Sequence, residues 1–260
     1  MAERTIYIMG NWKMNLHVGD SSLFVHKLAA GVKSHRNIET VLFPTTLALQ
    51  SLSLQINHRQ FKLGAQNFYW RDHGAFTGEV SASQLRGLVK YALVGHSERR
   101  HVFHEHGREI GRKVQAAVRN DIQPVLCVGE TATDRAYGET QDILHDQLVA
   151  GLANVTSEDM ARVIIAYEPV WAIGTGDNAT PKDTKDAVRM IRTQLRHLFG
   201  AAVANATPVL YGGSVSIDNA AGYLATDGVD GLLIGGASLD SAQFGAIVEL
   251  AYKQSRATKK

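Results

Sequence analysis

The chain has 260 residues, 45% hydrophobic and 20% charged, with 27 basic against 25 acidic side chains. That length can bury a sizeable core, and a net charge of +2 without a basic block leaves out the electrostatic footprint of a nucleic-acid binder. One cysteine excludes an intramolecular disulfide, and no apolar run approaches the ~18 residues of a membrane span. The N-terminus has no apolar stretch behind a basic one, so no secretory signal is expected and a cytoplasmic location is.

Residues 5–9 read as a strand that runs into Gly10-Asn-Trp-Lys-Met-Asn15. Asn11 and Lys13 follow it two residues apart, a spacing that turns both the same way. A helix comes next, with Asp20 or Ser21 as its N-cap and Leu23, Phe24, Lys27 and Leu28 at helical spacing. Residues 38–43 form a second strand, stopped by Pro44, and 45–53 a helix. The third strand, 61–65, leads into a long loop, 66–79, that carries the aromatics Phe68, Tyr69, Trp70 and Phe76. Long loops in compact domains are usually functional. Exposed aromatics suit a protein–protein contact, unless they fold back on their own domain.

The fourth strand, 91–94, opens directly into Gly95-His-Ser-Glu-Arg-Arg100, and a helix spans 108–120. The fifth, 123–128, ends at Gly129-Glu130 and precedes a helix over 138–152. Cys127 lies in that apolar run and reads as a buried small hydrophobe, with a catalytic thiol as the lesser alternative. The sixth strand, 162–167, is rich in β-branched residues and ends at a carboxylate, Glu168. Pro169 stops the ladder because it has no N–H, and an apolar patch, 170–173, leads to Gly174-Thr-Gly176. A carboxylate below an apolar flap between a proline and glycines suits a base under a lid, or merely a strand end with a turn.

Thr180-Pro-Lys-Asp183 marks a helix start, with proline in the first turn, and that helix runs to about residue 199. The seventh strand, 208–211, ends in Gly212-Gly-Ser214, and a helix follows over 218–224. The eighth, 231–234, ends in Gly235-Gly236, and a last helix covers 241–253 before a basic tail, 253–260, expected to be a solvated helix end.

Strand and helix alternate eight times with no linker, which implies parallel strands joined by crossover helices. Eight units in this length fit one domain, 1–260, an α/β closed parallel (β/α)8 barrel. An open doubly wound sheet is the alternative. It is disfavoured because the first strand–helix turn lacks a G-x-G-x-x-G fingerprint.

In such a barrel the C-terminal strand ends share one face. They would gather Asn11, Lys13, His96, Glu98, Glu168 and the two glycine pairs, with Ser214 and Ser238 nearby. Backbone N–H groups at a helix start hold anions, so two glycine pairs on the last two strands suit a phosphate, with Lys13 as the cation. A helix start disfavours a cation at His96, which leaves a neutral imidazole able to donate to a carbonyl oxygen. His101, His104 and His106 are too loosely spaced for a metal, and none is expected. The set suits proton abstraction next to a carbonyl on a small phosphorylated sugar.

The chain closely resembles triosephosphate isomerases in six segments: 10–15, 74–79, 95–100, 166–176, 211–215 and 235–239. The resemblance implies interconversion of dihydroxyacetone phosphate and D-glyceraldehyde 3-phosphate, a step of glycolysis and gluconeogenesis, with no cofactor. It implies that Glu168 moves the proton, that His96 hydrogen-bonds the enediolate, and that Lys13 stabilises its charge. Asn11 would position a substrate oxygen and Glu98 would orient Lys13. The phosphate would rest on Gly174, Ser214, Gly235 and Gly236. Pro169, Val170, Trp171, Ala172, Ile173, Gly174 and Thr175 would form a lid held by Tyr211 and Ser214. On closure, Ile173 and Leu233 would crowd Glu168, strip its water and raise its basicity. The family also implies a homodimer in which Thr77 approaches the partner's site. Three other readings remain: an isomerase of a four-carbon ketose phosphate, a Schiff-base aldolase using Lys13, and a protein that has lost catalysis.

Overall fold

A computed structural model describes residues 4–174 and 178–257. Thr175 of the expected lid, Gly176 after it, and the last three residues of the basic tail lie outside them. Eight parallel strands close into a barrel in chain order. They are β1 Ile6–Asn11, β2 Ile38–Phe43, β3 Phe61–Ala65, β4 Tyr91–Val94, β5 Gln123–Val128, β6 Ile164–Tyr167, β7 Val209–Tyr211 and β8 Gly231–Ile234. β1 pairs with both β2 and β8, so the sheet has no free edge and the open-sheet alternative falls.

Side chains alternate across each strand, and this splits the core in two. Met9, Val41, Leu93, Val125, Cys127 and Leu210 fill the barrel interior. Their neighbours Ile8, Leu42, Ala92, Leu126 and Val209 face outward into the shell of helices. The Phe43 ring enters the interior at Gly64, where a Cβ would lie 2.2 Å from it. Only a residue without a side chain admits the ring there.

The helices are α1 Val18–Gly31, α2 Thr46–Gln55, α3 Ala82–Leu85, α4 Ser97–His101, α5 Gly107–Arg119, α6 Ala132–Ala136, α7 Thr140–Leu152, α8 Pro181–Phe199, α9 Ala201–Ala206, α10 Ile217–Leu224 and α11 Ser241–Ala257. Several differ from the expectation. His17, not Asp20 or Ser21, caps α1; Asp20 sits in the first turn, where its charge suits the exposed N–H groups. The helix expected over 138–152 begins at Thr140 as α7, and an unexpected short helix, α6, precedes it across Gly138, whose φ of 78° belongs to a turn. Arg162 ends a 3-10 turn, so β6 begins at Ile164. α3 is a single turn held by a Ser81–Gln84 capping box.

The loop 66–79 is less exposed than its composition suggests. Phe68 is buried in the core. Tyr69 lies against Trp70 and Phe76, with ring centroids 5.3 and 4.6 Å away. The guanidinium groups of Arg71 and Arg112 sit over Trp70 at 4.7 and 4.4 Å. The aromatics fold back on their own domain and leave the Thr77 tip exposed. Among the described residues, no helix is long and apolar enough to cross a membrane.

Candidate active site

A cavity of about 400 Å³ opens at the C-terminal strand ends. It is lined by Asn11, Lys13, His96, Glu168, Ile173, Gly174, Ser214, Leu233, Gly235 and Gly236. Five strands, β1, β4, β6, β7 and β8, deliver these residues from positions far apart in sequence. Glu98 reaches the group through Lys13, whose Nζ donates to Glu98 Oε1 at 2.6 Å. Thr77 is not among the lining residues.

Asn11 is the last residue of β1 and is buried. Lys13 does not reach the cavity by strand alternation. Its φ of 51° is left-handed, an uncommon conformation for a residue with a side chain. Two polar contacts brace it: its N–H donates to Asn11 Oδ1 at 3.0 Å, and Gln66 Nε2 donates to its carbonyl at 2.8 Å. The same Gln66 amide donates to Phe43 O at 2.9 Å, tying the turn to the end of β2.

Glu168 is 2% exposed. Its Oε2 accepts the Ser97 N–H at 2.8 Å, and its Oε1 lies 3.0 Å from His96 Nε2. Burial pushes its pKa up, but His96, the Ser97 N–H and Lys13 outweigh burial and hold it below the usual carboxyl range. The carboxylate is already out of water, and in this conformation its hydrogen bonds make it a weaker base.

His96 is the N-cap of α4. Burial opposes a charge on its ring, but Glu168 and Glu98 outweigh it and draw the pKa above the usual imidazole value. In the hydrogen-bond geometry of this conformation the ring is nonetheless neutral. Nδ1 accepts the Glu98 N–H at 3.2 Å, so the single ring proton sits on Nε2, facing Glu168. The backbone at the helix start thus selects the neutral tautomer.

After Pro169 the flap makes a 3-10 turn over Val170–Ala172. Val170 N–H donates to Glu130 O at 3.0 Å, Trp171 Nε1 donates to Glu130 Oε1 at 2.7 Å, and Ser214 Oγ donates to Ala172 O at 2.6 Å. Ala172 is buried, Ile173 half-buried and Gly174 exposed with a φ of 72°. Tyr211 lies beneath this region, stacked on Tyr223 with centroids 3.9 Å apart. Its buried hydroxyl has no hydrogen-bond partner among the described residues.

Gly235 precedes a short 3-10 turn, Gly236–Leu239, and Ser238 closes that turn by donating its N–H and Oγ to Gly235 O at 2.8 and 2.6 Å. Among the described residues, the N–H groups of Ser214, Gly235 and Gly236 have no backbone acceptor. A Cβ at Gly236 would meet nothing within 4 Å. These donors border the same cavity as Lys13.

Three contributors escape a side-chain reading of the sequence. Ser97 acts through its N–H, and Gln66 holds backbone. Glu130 is fully buried at the end of β5, accepting from the Tyr167 hydroxyl at 3.0 Å as well as from Trp171. It follows Gly129 directly, so the strand-end rule that selects the other residues would select it too. Among the described residues, no three His, Cys, Asp or Glu side chains converge to hold a metal.

The sequence model of the family described as triosephosphate isomerase matches residues 6–251. A triosephosphate isomerase of Caldanaerobacter subterraneus subsp. tengcongensis is 41% identical over 93% of this chain and 97% of its own length. One of Roseiflexus sp. is 44% identical over 94% of this chain and 97% of its own. One of Chlamydia muridarum is 42% identical over 94% and 90%. With this fold, this cavity and likeness along nearly its full length, the chain belongs to the triosephosphate isomerase family.

Proposed function

We propose that the chain interconverts dihydroxyacetone phosphate and D-glyceraldehyde 3-phosphate through an enediolate. The observation that carries the reading is a buried carboxylate 3.0 Å from a neutral imidazole, beside a lysine and a row of open backbone donors. Glu168 takes a proton from one carbon and returns it to the next, so no reagent is consumed. To reach substrate the carboxylate must leave the Ser97 N–H, and burial then raises its pKa toward that of a useful base. His96 donates from Nε2 to the substrate oxygens. Lys13, aligned by Glu98, offsets the enediolate charge, and Asn11 positions the substrate oxygen.

The phosphate rests on Gly174, Ser214, Gly235 and Gly236, with residues 169–175 as the lid and Tyr211 and Leu233 beneath it. Because Gly174 is both a lid residue and a phosphate ligand, substrate phosphate and lid closure are linked. Met14, next to Lys13, is 94% exposed, and Leu47 is 85% exposed. These apolar side chains support a homodimer in which the Thr77 loop of one chain covers the other. We place the enzyme in the cytoplasm.

A coupled isomerase assay on purified protein, with inhibition by a phosphorylated enediolate mimic, tests the activity. Strong preference for a four-carbon ketose phosphate over the triose would overturn the substrate. Trapping of substrate on Lys13 by borohydride would favour the aldolase reading; the Nζ is engaged by Glu98 Oε1 at 2.6 Å. Sedimentation at micromolar concentration tests the dimer.

A further inference from the structure

A second cavity, also about 400 Å³, lies at the other end of the molecule. Asp227 and Gly228 precede β8, Arg4 precedes β1, and α8 contributes the turns from Lys185 to Arg196. These positions mark the N-terminal strand ends, opposite the catalytic cavity. Nothing in the isomerase reaction uses them.

Its wall is cationic by design of the helix period. Lys185, Arg189, Arg192 and Arg196 follow at intervals of four, three and four residues, so they share one face of α8. The stripe is about 16 Å long, several times the width of one phosphate group. In a chain whose net charge is only +2, this is a marked concentration of one sign.

The arginines are not equivalent. Arg192 is the floor. It donates to Ala204 O at 2.7 Å, Thr207 O at 3.2 Å, Gly228 O at 2.8 Å and Asp230 Oδ2 at 2.9 Å, which leaves it structural. Arg4 joins it on Asp230, so one buried carboxylate faces two guanidinium groups. The other cations are only loosely held. Arg189 lies 3.4 Å from Asp186 and Lys185 lies 3.7 Å from Asp227, all four on solvated surface. The Arg196 guanidinium has no hydrogen bond or ion pair among the described residues.

The remaining lining defines the ligand. It contains no aromatic ring and one apolar side chain, Val188, so a nucleobase would find no stacking platform. Neither does a single phosphate need so long a stripe. We propose that this cavity binds a compact polyanion carrying two or more phosphate groups. Arg189 and Arg196 are its principal ligands, in the forked geometry that suits phosphate oxygens.

Calorimetry of the full chain with inorganic tripolyphosphate and, separately, citrate at 0.1 M salt tests this. The expected result is one saturable tripolyphosphate event per chain that citrate does not match. Arg196→Gln should weaken it, and Arg189→Gln with Arg196→Gln should weaken it at least about tenfold. Both variants change exposed side chains, so melting temperature and kcat/KM should stay at the parent values. Absence of saturable binding, unchanged binding in the double variant, or equal affinity for citrate would each overturn the proposal.

Discussion

Shortening the base by one methylene, Glu168→Asp, separates its position from its chemistry. The carboxylate retracts by one C–C bond, about 1.5 Å. The contacts now at 3.0 Å to His96 Nε2 and 2.8 Å to the Ser97 N–H then open to about 4 Å, beyond hydrogen-bond range. A base displaced by about an ångström costs on the order of 10²-fold in rate. Steady-state kinetics in both directions should show that loss in kcat with KM nearly unchanged, because the phosphate donors are untouched. A second signature follows from the electrostatics. Glu168 is held below the usual carboxyl range by the two contacts that the substitution removes, while burial pushes the other way. The variant's carboxyl should therefore titrate higher, and the acidic limb of kcat/KM against pH should move to higher pH. A kcat within threefold of the parent, or a loss of rate with an unmoved acidic limb, would refute the reasoning.

Gly236→Ala adds a methyl group that meets nothing within 4 Å in the protein, yet it projects at the donors assigned to phosphate; melting should be unchanged while KM rises roughly tenfold. Glu130→Gln keeps a carbonyl oxygen for Tyr167 and Trp171 and gives the orphaned Oε2 position a donor, so stability should hold within about 1 kcal/mol. Glu130→Ala strands the buried Tyr167 hydroxyl and should lose about 1–3 kcal/mol in denaturant titration. Asp183 in the first turn of α8 accepts from the Thr180 N–H and hydroxyl and pairs with Arg135, contacts that outweigh burial and lower its pKa from 3.8 to about 2. A carboxyl lowered on folding stabilises above its unfolded pKa and loses that stabilisation as pH falls through the folded one. Melting temperature should therefore fall more steeply between about pH 4 and 2 in the parent than in Asp183→Asn.

The barrel strands were legible because burial on both faces leaves short continuous apolar runs. β2, β3, β4, β5 and β8 begin and end where the sequence places them. Helix starts were legible only where a side chain caps them. Thr180 with Asp183 announces α8, whereas His17 makes no side-chain cap bond and gives α1 no sign. The strand-end rule brought out Asn11, His96 and Glu168 because each is a polar residue where an apolar run stops. Lys13 was found for an incomplete reason, since a left-handed residue braced by Gln66 obeys no strand period. The hold on Glu168 was beyond sequence reading, because an amide donor carries no residue identity. The loop 66–79 misleads in the opposite sense. Its aromatics suggest a sticky exterior, but the guanidinium groups of Arg71 and Arg112 pack on Trp70 within the chain.

Arg100, three residues past Ser97 on α4, is half-buried, and its guanidinium donates to Gly95 O at 2.7 Å and to Cys127 O at 2.9 Å. Gly95 follows β4, Cys127 belongs to β5, and Cys127 pairs in register with Ala166 of β6. The side chain is thus a strut across the strands that carry His96 and Glu168. Any breathing motion that parts β4 from β5 must break the charge-assisted hydrogen bond to Cys127 O as well as the strand ladder. The spacing between the donor and the base is therefore set by a three-strand linkage and not by their own contact. When Glu168 gives up that contact to work on a substrate, the frame that aimed it stays in place.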